Sequence, residues 1–147
     1  PQLYGAAHSD VPYLESLAGR LPEGASFEIV DPSLDSEAQR RIFGMADLCI
    51  ASRYHPQIFA ATAGVPGICI YYEHKAQGFM SFLGLDDFAF DIRTLDAEAM
   101  CRKLDEVIAC KEGLSLIIKE RIEAIRARSR KTTLLAVDLY QKCYART

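Results

Sequence analysis

Arg53, Tyr54 and His55 stand in succession after the apolar run Ala46-Asp47-Leu48-Cys49-Ile50-Ala51, and Pro56 follows at once. Six mostly apolar residues are too few for a helix and predict an interior parallel strand over 46–51. Pro56 lacks an N–H and has a preset φ, which suits the first position of a helix, with His55 at the cap and Arg53 in the turn. A helix that starts at the C-terminal end of a parallel strand offers unpaired N–H groups and the positive end of its dipole, a natural seat for phosphate or carboxylate. Arginine adds a permanently charged fork, and histidine is the side chain type that exchanges protons near neutral pH. The backbone N–H groups of Gln57 and Ile58 are expected to complete the anion seat. Away from such a junction, the same residues would read as an arginine paired with an acid and a histidine capping a helix.

The run continues as Ile58-Phe59-Ala60-Ala61-Thr62-Ala63-Gly64-Val65-Pro66, then Gly67-Ile68-Cys69-Ile70-Tyr71-Tyr72, then Glu73-His74-Lys75, and then Gly78-Phe79-Met80-Ser81-Phe82-Leu83-Gly84-Leu85. This ordered succession over about residues 46 to 92 resembles the C-terminal half of polysaccharide pyruvyl transferases. The resemblance implies a glycosyltransferase-B-like (GT-B-like) enzyme of two facing Rossmann-like domains, with this chain as the C-terminal, donor-binding one. It implies transfer of a pyruvyl group from phosphoenolpyruvate onto two hydroxyls of one sugar of a cell-surface polysaccharide or its lipid-linked precursor. Arg53 then becomes a donor-anion clamp, and His55 the catalytic general acid or base, protonating either the enol carbon or the departing phosphate oxygen.

Lys75 is a second candidate cation for the donor, and Glu73 a candidate partner for a hydroxyl or for Lys75. Tyr54 stands where many relatives carry leucine, and is expected either to pack or to touch donor or sugar through its hydroxyl. His74 and His8 are read as exposed rather than catalytic. The resemblance also implies that the N-terminal half of the same enzyme supplies the acceptor pocket and a further arginine, so that this piece alone is inactive. No cofactor besides the donor substrate is expected. The rival reading is a nucleotide-sugar glycosyltransferase or epimerase of the same two-domain form, which needs a base-stacking slot and a ribose-binding acid, with Glu73 as the candidate.

The 147 residues carry a net charge of −3 and a sequence pI near 5.6, which gives no overall attraction to nucleic acid. Half the residues are hydrophobic and a quarter charged, the balance of a globular domain. No G-x-G-x-x-G, Walker-type or G-x-S-x-G motif and no zinc-spaced His/Cys cluster occurs. The five cysteines at 49, 69, 101, 110 and 143 form no C-x-x-C pair, and are expected as buried free thiols of a reducing, cytoplasmic compartment. Residues 56–72 are uncharged, but Gly64-Val65-Pro66-Gly67 splits them into helix, turn and strand. The chain begins at Pro1 and is read as a piece of a longer protein.

The elements that position these residues follow from periodicity. A strand end is predicted at Leu3-Tyr4-Gly5, and a helix entered at Asp10 with Val11, Leu14, Leu17 and Ala18 on one stripe. Phe27-Glu28-Ile29-Val30 reads as a strand closed by Asp31-Pro32. Ser36-Glu37-Ala38-Gln39 has capping-box spacing and opens a helix to about Met45, with Ala38, Ile42 and Met45 inward. A helix over 56–64 stops at Gly64. Strands at 67–72 and 88–92 flank a short helix at 78–83, with Asp86-Asp87 as turn residues. Asp96 opens a helix to about Cys110, with Met100, Leu104, Val107 and Ile108 on one face.

A long helical segment then fills 114–147, with a bend expected near Ser129-Arg130-Lys131-Thr132. Strand and helix alternate, so the expected fold is α/β: a three-layer α/β/α Rossmann-like sandwich on a parallel sheet, as a single domain over 1–147. The two-domain arrangement further implies an uncovered apolar face over 131–145. The basic cluster Arg126, Arg128, Arg130 and Lys131 reads as a solvated face, with peripheral contact to a lipid-linked acceptor at the membrane surface as its second reading.

Overall fold

The computed structural model describes residues 11–31 and 33–144. Leu3–Gly5, His8, Asp10 and Pro32, and the last three residues of the terminal helical segment, lie outside the described residues. Two compact units are present, Pro1–Asp35 and Ser36–Thr147.

In the first unit, helix α1 spans Val11–Ala18 as the apolar stripe predicts. The expected strand at 27–30 does not form: residues 26–31 are irregular. A strand needs a ladder partner for its N–H and C=O groups, and no strand pairs with this segment among the described residues.

The second unit is mixed α/β. Its sheet has three parallel strands in the order β1 (Cys49–Ala51), β2 (Gly67–Tyr71) and β3 (Ala89–Asp91). Ala51, Cys69 and Ala89 lie in one row across it, and Tyr71 is level with Asp91. The strands are shorter than the apolar runs, because pairing rather than hydropathy sets their ends. Gly67 fixes the β1–β2 approach: a Cβ there would stand 1.7 Å from the Cys49 carbonyl oxygen. Between the strands run α3 (Tyr54–Ala63) and α4 (His74–Leu83). Before them lies α2 (Ser36–Gly44), and after them come α5 (Ala97–Ala109) and α6 (Lys111–Tyr144).

The core gathers Ile68, Cys69, Met80, Leu83, Val107, Ile118 and Ile122, so β2 and the three later helices α4, α5 and α6 share one apolar interior. A smaller cluster of Cys49, Ala51, Ala60 and Val65 joins β1 to α3. Gly64 ends α3 at φ 78°, as expected, and Gly84 ends α4 at φ 71°. Asp96 caps α5, accepting from the N–H groups of Glu98 and Ala99 at 2.9 and 3.3 Å.

Several expectations are corrected. In α2 the core-facing aromatic is Phe43, whose ring lies 5.9 Å from that of Phe59, whereas Met45 is 84% exposed and Ile42 is at the surface. The helix ends at Gly44, which takes Met45 off its apolar face. In α5 the stripe is Met100, Leu104 and Val107, and Ile108 is exposed. Helix α6 begins at Lys111, so Gly113 is helical, and the helix is continuous through 129–132. There the hydroxyls of Thr132 and Thr133 donate to the carbonyls four residues back, at 3.3 and 3.4 Å. Leu134, Leu135, Val137, Leu139, Tyr140 and Tyr144 on its outer half are all exposed. Of the cysteines, Cys49 and Cys69 are buried but Cys101, Cys110 and Cys143 are exposed, and all five are free thiols. No helix among the described residues is long and apolar enough to cross a membrane.

Candidate functional site

Three turns leave the sheet at its C-terminal edge, after Ala51, Tyr71 and Asp91. The first two repeat one local design at a spacing of 20 residues. Arg53 (φ −129°, ψ 152°) and Glu73 (φ −130°, ψ 143°) are extended N-caps, and the helices they open both end ten residues on at a left-handed glycine. His55 and Lys75 thereby occupy the same position, the second residue of α3 and of α4.

This register corrects the sequence reading twice. Helix α3 starts at Tyr54, so Pro56 is its third residue rather than its first. A missing N–H costs nothing there, because the first turn's N–H groups have no intrahelical acceptor. By the same geometry the Gln57 and Ile58 N–H groups bond within the helix, and the N–H groups without an intrahelical acceptor include those of Tyr54 and His55. Helix α4 begins at His74, not Gly78, so the expected loop 73–75 is itself a helix N-terminus. Burial of Ala76, Phe79, Met80 and Leu83 outweighs the roughly 1 kcal/mol that an interior glycine costs.

Arg53 and His55 are exposed, and Tyr54 is half-buried. The Tyr54 ring meets Phe79 edge-on at 5.9 Å and packs on the main core, which favours the packing reading for this residue. The ring also receives Lys75, whose Nζ stands 5.7 Å from the ring centre. The Lys75 ammonium is also 2.7 Å from a Glu73 carboxylate oxygen, and this bond, with the attraction behind it, raises the lysine pKa. Glu73 therefore neutralises Lys75 in this structure, while its side chain makes no capping bond.

Gln57 is not at the opening. Its side chain is 6% exposed, has no hydrogen-bond partner, and lines a cavity of about 30 Å³ together with Cys49, Cys69, Met80 and Ile118. Burial pushes the thiols of Cys49 and Cys69 up to about 11. The nearby Gln57 amide opposes this weakly at Cys69, without a hydrogen bond of ordinary geometry. These are inert thiols. A groove of about 450 Å³ lies at the opposite end of the sheet, around Asp47, Gly64, Lys111 and Lys119. Arg53, His55 and Lys75 line neither cavity and are exposed, and the charged turns face solvent at these side chains. Among the described residues no group of three or more His, Cys, Asp or Glu side chains forms a metal cluster.

Sequence reasoning missed the third turn. Asp91 ends β3, and Arg93 follows in the 3-10 turn Ile92–Thr94. The Asp91 carboxylate accepts from Arg93 Nε at 2.9 Å, Nη2 at 2.5 Å and the backbone N–H at 2.9 Å. These bonds hold the Asp91 carboxyl down at about 2, with a small further contribution from His74. His74 is exposed, as expected, but its position near Asp91 links the second turn to the third. No local signal marked it: Arg53 and Glu73 cap their helices, whereas Arg93 is the second residue of a turn capped by Asp91.

Residues 5–74 match the family model for polysaccharide pyruvyl transferase, a span that takes in β1, α3, β2 and the start of α4. The chain is 31% identical over 86 residues to the amylovoran biosynthesis protein AmsJ of Erwinia amylovora, covering 58% of this chain. The aligned part is 21% of that relative, so the chain spans about a fifth of its length. No solved structure matches the chain. Over the matched segment and against this relative, the chain is similar to polysaccharide pyruvyl transferases.

Proposed function

We propose that the C-terminal edge of the sheet is the donor site of a pyruvyl transferase that uses phosphoenolpyruvate and acts on a sugar of a cell-surface polysaccharide. The observation that carries this reading is the paired design of the two turns. Arg53 caps one helix, His55 and Lys75 take equivalent places on two helices, and all three are exposed at one edge. Two helix N-termini and two cations suit a donor that bears both a phosphate and a carboxylate.

The reaction forms two C–O bonds at the enol carbon and breaks its bond to the phosphate oxygen. Of the two hydroxyl protons released by the sugar, one reaches the methylene carbon, which becomes a methyl group, and the other leaves with phosphate. His55 is the group proposed to move one of these protons, at the methylene carbon or at the phosphate oxygen. Arg53 grips the donor, and Lys75 exchanges Glu73 for a donor oxygen when the site fills. Tyr54 sets the spacing between the turns, and buried Gln57 supports α3 from below.

Residues 1–147 act in this proposal as the Rossmann-like, three-layer C-terminal domain of a GT-B-like enzyme in the cytoplasm, at the inner face of the membrane. The N-terminal half would supply the wall that the open edge lacks, together with the acceptor pocket, and would cover the outer half of α6. The isolated domain is then inactive.

The test is His55→Ala in the complete enzyme, with phosphate release from phosphoenolpyruvate as the readout. Loss of positioned proton transfer lowers the rate by about 10²- to 10⁴-fold. The melting temperature stays unchanged, because the side chain is exposed. Full activity in the variant would end the assignment.

A further inference from the structure

Among the described residues Gln57 is the buried polar side chain, and both the nitrogen and the oxygen of its amide stand without a hydrogen-bond partner. A primary amide has two N–H donors and two acceptor lone pairs. Leaving them unmade in an interior is costly enough that buried amides are almost always bonded to something. Gln57 is the fourth residue of α3, so the requirement falls in the helical turn that carries Tyr54 and His55.

The space beside the amide has a cause in the sequence. In the β1–β2 ladder Cys49 stands opposite Gly67, and Cys69 opposite Ala51. The two cysteines are therefore diagonal neighbours on one face of the sheet, each paired with a residue that has little or no side chain. Helix α3 adds only the methyl groups of Ala60 and Ala61 to the same lining, and a cavity of about 30 Å³ remains. A water molecule needs about 10–15 Å³ of such space and two to four polar partners. The cavity meets the first condition and is too small for an organic ligand.

The second condition is met as well. A single water can close a ring with a primary amide, accepting from its N–H and donating to its oxygen. The thiols of Cys49 and Cys69 line the same space, and a thiol is both a weak donor and a weak acceptor. Burial pushes both thiols up to about 11, so each keeps its proton to donate at neutral pH. The other side chains of the lining are apolar.

We infer that this cavity is a hydration site, binding one ordered water through both ends of the Gln57 amide and the thiols of Cys49 and Cys69. The water ties the first turn of α3 to β1 and β2 by polar contacts inside an otherwise apolar interior. It gives a glutamine a reason to stand where an apolar side chain would pack. The site is internal, and its existence does not depend on the donor reading of the exposed edge.

The probe is water itself. In the ¹⁵N-labelled chain, the side-chain amide protons of Gln57 should show an NOE to the water resonance with the sign of a long-lived bound molecule. The rotating-frame NOE should have the opposite sign, which marks dipolar contact rather than proton exchange. Gln57→Met keeps the length of the side chain and removes the amide, and the ¹⁷O relaxation dispersion of the solution should then lose the amplitude of a single water. Gln57 amide protons with NOEs to protein protons alone would overturn the hydration site. So would an unchanged ¹⁷O amplitude in folded Gln57→Met. Should that variant fail to fold, the NOE in the parent chain decides the matter by itself.

Discussion

The Lys75 ammonium rests on the Tyr54 ring, 5.7 Å from its centre, so the turn after β2 is seated against the turn after β1. One aromatic side chain thus serves two neighbours, since its edge contact with Phe79 ties the same ring to the interior. Tyr54→Phe keeps both contacts and should leave stability within about 0.5 kcal/mol of the parent. Tyr54→Ala removes the ring and should cost about 2–4 kcal/mol in chemical denaturation. If Tyr54→Phe instead reduces donor binding in the complete enzyme at unchanged stability, the hydroxyl has a direct role and the packing reading falls.

Gly67→Ala should be far more damaging than an alanine in a strand normally is. The added carbon would meet the Cys49 carbonyl at 1.7 Å, and that atom is backbone with no side-chain freedom to yield. A loss above about 3 kcal/mol is expected, or failure to fold. A variant that melts within a few degrees of the parent would show that β1 and β2 can separate at this point.

Thiol chemistry should divide the cysteines into two groups. Cys101, Cys110 and Cys143 are exposed, whereas Cys49 and Cys69 are buried with their thiols pushed up to about 11. A disulfide reagent at pH 8 should modify three thiols rapidly in the native chain and all five in denaturant. Five fast thiols under native conditions would show that the β1–α3 interior opens readily.

Asp91 gives an acid-limb prediction. Its native carboxyl is lowered by Arg93 from 3.8 to about 2, so the pairing contributes above the unfolded value and is lost as pH falls through the native one. Asp91→Asn should therefore flatten the decline in stability between about pH 4 and pH 2, measured by urea unfolding at stepped pH. Its effect above pH 5 should be a constant offset. A parent and variant with parallel profiles through this window would show that Arg93 does not hold the carboxylate in solution.

Much of the second unit was legible because its signals are local. The strand-to-helix junction at Ala51–Tyr54, the glycine stop at Gly64 and the Asp96 cap all depend on a few adjacent residues. What escaped depends on pairing and packing. Phe27–Val30 has the composition of a strand but no ladder partner among the described residues. Gly78 looked like a helix boundary, yet the burial of Phe79 and Met80 carries α4 through it. At the candidate site, Arg53, His55 and Lys75 were visible as residue types, but their equivalence on two helices was not, because the expected starts at Pro56 and Gly78 differ in register. Arg93 escaped because nothing in the tripeptide Asp91-Ile92-Arg93 marks it until β3 is placed beside β2.

The 20-residue cadence of the turns makes them interchangeable parts for engineering. Since residues 53 and 73 share backbone angles and open helices of equal length, the cap residues Arg53 and Glu73 and the second helical residues His55 and Lys75 should exchange between the two sockets, whereas Tyr54 is held in place by its packing against Phe79.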